Sequence, residues 1–335
     1  MINTYQVIFI KEKKDTFWDL FEIIKSELLY LNPLYCKEYY EHFIHKAEGF
    51  GFSIEQKSFI LTFEGKPFFV FLGSLFIKDE EKFLNCFEIP SLAIDSVDIS
   101  LKKKKQICKY VNQLLSVDYK KFSIIGPKSN INIPIIGEVI LNRKNTKLIT
   151  KTSRLIDLSQ DISSLKKSIR KSYHSLINWG LKEMQITLHD KSNIKWETIL
   201  EFRKLHIKEA GRDTRCIETW EKQYEAILNN NAFCITSELE NEFVSAAFFL
   251  CADRYCYYGS SVSRRDLFKF PISHALIWNA ILHAKKIGAL IFDLGETYLE
   301  SFNLSNTEKE KNISYFKKGF GGKLSINYEI VSLKN

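Results

Sequence analysis

YYGSSVSRRDLFKFPISHALIWNAILHAKKIGALIFDLGE, residues 257–296, decides how this chain is built. Its middle is an amphipathic helix: Leu276, Ile277, Ala280, Ile281, Ala284 and Ile287 recur at helical spacing, Ser273 stands where a cap is needed, and Gly288 follows the last turn. ALIFDLGE (289–296) after it is too short and too apolar for anything but a buried strand. Before the stretch, AFCITSEL (232–239) and FVSAAFFLCA (243–252) flank Glu240-Asn241-Glu242 and read as a hairpin.

The same order occurs earlier in the chain. KSFILTF (57–63), a turn at Glu64-Gly65-Lys66 and PFFVFLGSLFI (67–77) form a first hairpin. A helical stretch, KKKKQICKYVNQLL, then leads to the strand KFSIIGP (121–127). Matching strands lie about 170 residues apart, which predicts duplication of one mixed α/β unit. We expect residues 1–150 to form one domain and 151–335 the other, with 151–180 joining the halves. A helix over 306–318 and the strand KLSINYEIVSL complete the second half. Hairpin, helix, strand, helix, strand is an order suited to a mixed sheet with helices on its faces, as in the GNAT acyltransferase fold.

Composition sets the surroundings. Of 335 residues, 45% are apolar and 26% charged, which supports a real core and excludes disorder. Lys and Arg total 48 against 40 Asp and Glu, and this excess of +8 suits a polyanionic partner such as RNA or an anionic sugar precursor. An AT-rich coding sequence also enriches lysine, so charge alone identifies no partner. Seven scattered cysteines without a CxxC predict buried free thiols in a reducing compartment, with neither disulfides nor a zinc site. His42 and His45 are read as a structural pair, and no metal is expected. The N-terminus lacks a signal-peptide pattern and the longest apolar run, 67–77, is too short to span a bilayer. A cytoplasmic protein is expected, at most in peripheral contact with a membrane surface.

Several separated stretches, in order, then carry a resemblance: the basic segment SSLKKSIRKSYHSLINWGLK (163–182), AGRDTRCIETWEKQY (210–224), residues 257–296, and ISYFKKGFGG (313–322). Together they resemble the FemAB-like family of GNAT-fold transferases, related to the enzymes that build peptidoglycan interpeptide bridges. The first half fits as a diverged second GNAT copy. The resemblance implies transfer of an aminoacyl or acyl group to an amine of a cell-envelope or glycan precursor. It also implies aminoacyl-tRNA as the donor, hence charged tRNA and an anionic glycan or peptidoglycan-type precursor as partners, and no DNA. The long helical arm inserted in bridge-forming members has no counterpart here, so the resemblance leaves the acceptor open.

It also directs attention to residues. Lys317, with Phe316 beside it, matches the position that lies at the reaction centre of the bridge-forming relatives. There a cation would stabilise the oxyanion that grows when an amine attacks an acyl carbon. Lys318 reads as a helix-end lysine. Asp293 and Glu296, at the end of a strand, are candidates to orient or deprotonate the amine. Arg212 and Arg215 follow the helix WETILEFRKLHIKEA and its terminator Gly211, and suit a phosphate or carboxylate. Of Tyr257 and Tyr258 only one can face the cleft. Tyr258, Ser260 and Arg264 are therefore further binding candidates, while His206 reads as structural. The segment from 162 to 179 reads as one helix, with Ile162, Leu165, Ile169, Tyr173 and Leu176 on one face and Lys166, Lys167, Arg170 and Lys171 on the other, which reads first as a solvated face and alternatively as a track for tRNA phosphates.

The donor has its own discriminator. Acyl-CoA GNATs open their central helix with a glycine-rich loop whose bare amides hold the pyrophosphate. The loop here, DLFKFPISHAL (266–276), has no glycine, and Pro271 has no amide to offer. The alternatives are an acyl-CoA-dependent N-acyltransferase acting on an amino sugar, or a catalytically silent GNAT-fold binding protein.

Overall fold

The computed structural model describes residues 5–28, 31–95, 108–109, 111–115, 118–126, 137, 140, 145–298 and 307–333. The helix expected between the first hairpin and residue 121 falls only partly within them. The chain divides into two compact units: Met1–Leu31, Tyr40–Thr150 and Tyr328–Asn335 in one, Asn32–Tyr39 and Lys151–Asn327 in the other.

The first unit holds β1 (Tyr5–Phe9), α1 (Lys14–Ser26) and most of α2 (Lys37–Gly49), then β2 (Ser53–Gln56), β3 (Phe59–Phe63), β4 (Lys66–Leu72), β5 (Ser74–Lys78), β6 (Glu81–Asn85), β7 (Ser91–Asp95) and β8 (Lys121–Ile125). The sheet order is β1-β3-β4-β7-β8, with the end of the last strand of the chain beyond β8. All these neighbours are antiparallel except β7 and β8.

The second unit repeats the plan. It runs through β9 (Thr146–Asp157, from residue 151), α3 (Ile162–Ser168), α4 (Lys171–Glu183), β10 (Gln185–His189), α5 (Trp196–Ala210), α6 (Ile217–Leu228), β11 (Ala232–Leu239), β12 (Glu242–Ala252) and β13 (Tyr255–Ser263). Then come α7 (His274–Lys286), β14 (Ile291–Glu296), α8 (Glu308–Gly319) and the start of β15 (Lys323–Leu333). Its order is β10-β11-β12-β13-β14-β9, antiparallel throughout except for β13 and β14. Position by position the two sheets share one topology. Both hairpins turn through two left-handed residues, Glu64-Gly65 and Glu240-Asn241, matching the twist of paired strands. Each unit is a mixed sheet flanked by helices, the GNAT-like plan expected from the pattern, although Tyr328–Asn335 falls in the first unit and Asn32–Tyr39 in the second.

Side-chain alternation places two cores on the second sheet. On one face Phe233, Phe249 and Phe292 pack with Ile277, Ile281 and Ile177 of α7 and α4. On the other, Phe248 stacks on Tyr39, at 6.1 Å between ring centroids. Each phenylalanine withdrawn from water contributes about 2–3 kcal/mol.

Two local expectations are corrected. The segment from 162 to 179 is two helices, because Ile169 and Arg170 take extended backbone (ψ 142° and 133°). That break buries Ile169 and Tyr173 while leaving Ile162 exposed. Ser273 does not cap α7 with its side chain; its hydroxyl pairs with that of Ser263 at 2.9 Å. All seven cysteines are free thiols, six buried and Cys216 half-buried. No helix among the described residues is long and apolar enough to cross a membrane.

Candidate active site

The parallel strands β13 and β14 pair only from Tyr255 to Tyr257 and from Ile291 to Asp293. Beyond that point both are irregular. β13 bulges against β12 at Gly259, so that Phe248 faces Ser260 while Phe249 faces Tyr258. β14 shifts register against β9 between Asp293 and Glu296. Gly295 lies in the shifted segment at φ +80°, a backbone region that costs a side-chain-bearing residue energy.

A buried carboxylate braces that irregularity. Asp293, 0% exposed, accepts the Gly295 N–H at 2.8 Å and the Tyr255 hydroxyl at 2.5 Å. Lys317, from the last turn of α8, donates to the Glu296 carbonyl at 2.8 Å. A Cβ at Gly295 would lie 3.2 Å from Lys317 Nζ and 3.4 Å from Tyr257 Oη, so the glycine makes room for an amine and a phenol at one strand end. Burial holds the Lys317 amine below the usual lysine range, although the Asp293 and Glu296 charges pull it upward. Burial, and then the Asp293 charge, push the Tyr257 phenol up. Tyr257 therefore keeps its proton throughout the physiological range and is a hydrogen-bond donor, while Glu296 stands exposed beside the pair. Gly295→Ala is expected to cost about 1–3 kcal/mol, from the left-handed backbone together with crowding of the amine. Urea denaturation checks it, and an unchanged midpoint would mean that the strand end relaxes freely.

Phe316 serves the site from behind. Its ring packs on His274 at 5.3 Å, Phe320 at 5.2 Å and Tyr173 at 6.2 Å, and its carbonyl accepts the Tyr173 hydroxyl at 3.2 Å. It fixes the helix that carries Lys317 and joins the core. Lys318 is exposed.

Burial among these rings pushes His274 down to about 4. Since the unfolded imidazole titrates near 6.5, the unfolded chain binds more protons between the two values. Stability is therefore expected to fall as pH drops from about 6.5 to 4, by about 2 kcal/mol from this residue once partial exposure is allowed for. His189 and His283, also lowered by burial, add in the same direction. Denaturant midpoints at pH 7 and 4.5 test this, and His274→Gln should flatten the slope.

A second polar group lies on the same face as Tyr257. Gln223, fully buried in α6, donates to Tyr39 Oη at 3.2 Å and Ser260 Oγ at 3.3 Å, and accepts from the Arg215 guanidinium at 3.0 Å. The Arg215 guanidinium lies over Trp220, 3.7 Å from the ring centroid. Ser260 and Arg215 are thus brought together through Gln223, and the bulge at Gly259 keeps Ser260 on the face of Tyr257. Arg212 is exposed in the loop that begins at Gly211 and is not part of this group.

Two binding candidates are directed elsewhere. Tyr258 stacks on Phe249 at 5.4 Å in the opposite core, with its hydroxyl on Ser261 at 2.6 Å. Arg264 is engaged by Asp266 at 2.6 Å and by Glu242, so its charge is already matched. Tyr39 and Gln223 had no signal in the sequence, since a buried glutamine in an amphipathic helix looks like any polar position.

The loop before α7 is closed on itself. Ile272 N–H bonds the Phe270 carbonyl and His274 N–H the Pro271 carbonyl, at 2.9 and 3.2 Å. Phe270 stacks on Trp179 at 5.5 Å, whereas Phe268 is 65% exposed.

No family model matches the chain, and no curated protein matches it in sequence. Solved structures do match. The crystal structure of FemX superposes with a TM-score of 0.68 at 14% identity, covering 99% of this chain and 98% of its own. L-PGS from Bacillus licheniformis gives 0.56 at 13% identity, covering 95% and 91%. A tandem GNAT protein from the clavulanic acid biosynthesis pathway gives 0.53 at 8% identity, covering 98% of each chain. The fold is therefore the one this chain shares with FemX, L-PGS and the tandem GNAT protein.

Proposed function

We propose that the protein is an aminoacyl- or acyltransferase that moves its group onto an amine of a cell-envelope or glycan precursor, with an aminoacyl-tRNA ester as donor. The observation that carries this reading is the Lys317 amine, held against the Glu296 carbonyl at the end of β14, beside Tyr257. The fold shared with FemX-type structures supports acyl transfer as the reaction class.

The acceptor amine attacks the ester carbon and the carbonyl becomes an oxyanion. Collapse of that intermediate breaks the C–O bond to the ribose, which leaves as a hydroxyl after gaining a proton, while the amine loses one. Lys317 and the Tyr257 hydroxyl are cast as the donors that steady the oxyanion and the leaving oxygen. Glu296, exposed beside them, is the candidate to receive the amine's proton. Asp293 is a positioning residue, since its oxygens already hold Gly295 and Tyr255. Arg215, with Gln223 and Ser260, would meet an anionic part of the acceptor.

The closed, glycine-free loop before α7 favours a donor other than acyl-CoA. The test compares acetyl-CoA with a mixed pool of charged tRNA, by filter retention and thermal shift on the purified chain. Saturable tRNA binding that weakens steeply with salt, with CoA inert, is expected. Stabilisation by CoA without tRNA binding would put the acyl-CoA reading in its place.

A further inference from the structure

The break between α3 and α4 has a second effect. It carries Arg170 out of the helical path and lays its guanidinium on two tyrosine rings, 3.9 Å from the centroid of Tyr315 and 5.0 Å from that of Tyr173. A hydrogen bond from Arg170 to the Tyr315 carbonyl, 3.3 Å, and one from its backbone N–H to the Gly319 carbonyl, 2.9 Å, fix the arrangement. Tyr173 is buried, whereas Tyr315 is 64% exposed, so a cation backs an aromatic ring that solvent reaches.

The charge on either side of the break is positive. Residues 162–182 contain five Lys and Arg and no Asp or Glu. Lys166, Lys167 and Lys171 are exposed on either side of the break, and Lys318 is exposed at the end of α8, one helical turn from Tyr315. Neighbouring lysines are matched, Lys182 by Glu183 and Lys311 by Glu308. Among the described residues no carboxylate engages Lys166, Lys167, Arg170, Lys171 or Lys318.

We infer that this surface is an RNA contact, with the lysines on backbone phosphates and the Arg170-backed Tyr315 ring as a stacking platform for a base. A row of unmatched cations selects a polyanion, and a rigid exposed aromatic among them selects one with planar groups. An anionic lipid surface calls for cations around an apolar wedge, whereas here a guanidinium lies over the ring, 3.9 Å from its centroid. The inference rests on the proposed tRNA-ester donor. Tyr315 and Lys317 leave α8 on different sides, so a strand stacked on Tyr315 has only about one helix width, 10–12 Å, to cover before its end meets Lys317.

The test uses the full chain and deacylated bulk tRNA, followed by fluorescence anisotropy from about 50 to 300 mM KCl, with phosphatidylglycerol vesicles in parallel. Lys166→Gln/Lys167→Gln/Lys171→Gln removes three exposed charges and is expected to leave the melting temperature unchanged. It should weaken tRNA binding at least tenfold and make the log–log salt slope shallower by about 2. Tyr315→Ala should weaken binding about tenfold with little change in slope. Wild-type affinity and slope in both variants overturn the surface and leave the donor reading standing. Loss of vesicle binding with tRNA binding intact makes it a lipid contact and overturns the inference. No tRNA binding by the wild-type chain overturns both, whereas tRNA binding through this surface without any transfer keeps the surface and removes the donor reading.

Discussion

Lys317→Ala is expected to lower single-turnover aminoacyl transfer by about 100- to 1000-fold, the usual effect of deleting one donor to a developing oxyanion. The loss should fall on the chemical step and leave donor affinity nearly unchanged, because the amine faces the end of β14 and not the basic surface around Arg170. Folding should survive. Lys317 is half-buried, and its bond to the Glu296 carbonyl can be replaced by water. Lys317→Arg retains the charge but brings a broader planar head to a space that exists only because residue 295 has no side chain. It should recover little. Full activity in the alanine variant, with a native circular dichroism spectrum, would remove Lys317 from the reaction and the site with it.

Gly319→Ala is the second large effect, and it acts on folding. A Cβ at that position would lie 2.1 Å from Tyr173 Cε2 and 2.2 Å from Cζ. The ring cannot swing aside. His274 meets it edge-on at 4.5 Å, Phe320 lies at 5.3 Å, and its hydroxyl is held by the Phe316 carbonyl. Overpacking a core costs about 1–3 kcal/mol, and a clash with a pinned ring belongs at or above the top of that range. Because Arg170 also bonds the Gly319 carbonyl, α8 and α4 should loosen together. Gly259→Ala is the control: its Cβ would come no closer than 3.3 Å, to the Phe248 carbonyl. Similar denaturation midpoints for the two variants would mean that the helix end adapts.

The glycine at 319 explains why so much of the site escaped the sequence. The stretch YFKKGFGG (315–322) stood out through the resemblance, which pointed to Lys317 and Phe316. Its division of labour did not: Phe316 braces the fold from behind, while Lys317 reaches the strand end. The architecture was readable because it rests on period and order, and both hairpins and the strand 289–296 recur as patterns. The bulge at Gly259 follows no period, yet it decides that Ser260 shares a face with Tyr257 and not with Tyr258. Arg264 looked available because Glu242 and Asp266 approach it only once the hairpin folds. The break at Ile169-Arg170 was hidden for the opposite reason. The apolar spacing continues across it, and only the fit of Tyr173 against Gly319 requires the chain to turn.

The seven cysteines give the two units separate clocks. Cys216 alone among the described thiols is half-buried, one residue from Arg215, while Cys86 in the first unit and Cys234 and Cys256 in the second are sealed. Burial also pushes these sealed thiols up, Cys234 to about 12, so an alkylating dye meets no thiolate until the surrounding strands part. Dye uptake at each position then measures how often its own sheet opens. One labelling time course, resolved by peptide mapping, would rank the opening free energies of the two halves within a single intact molecule.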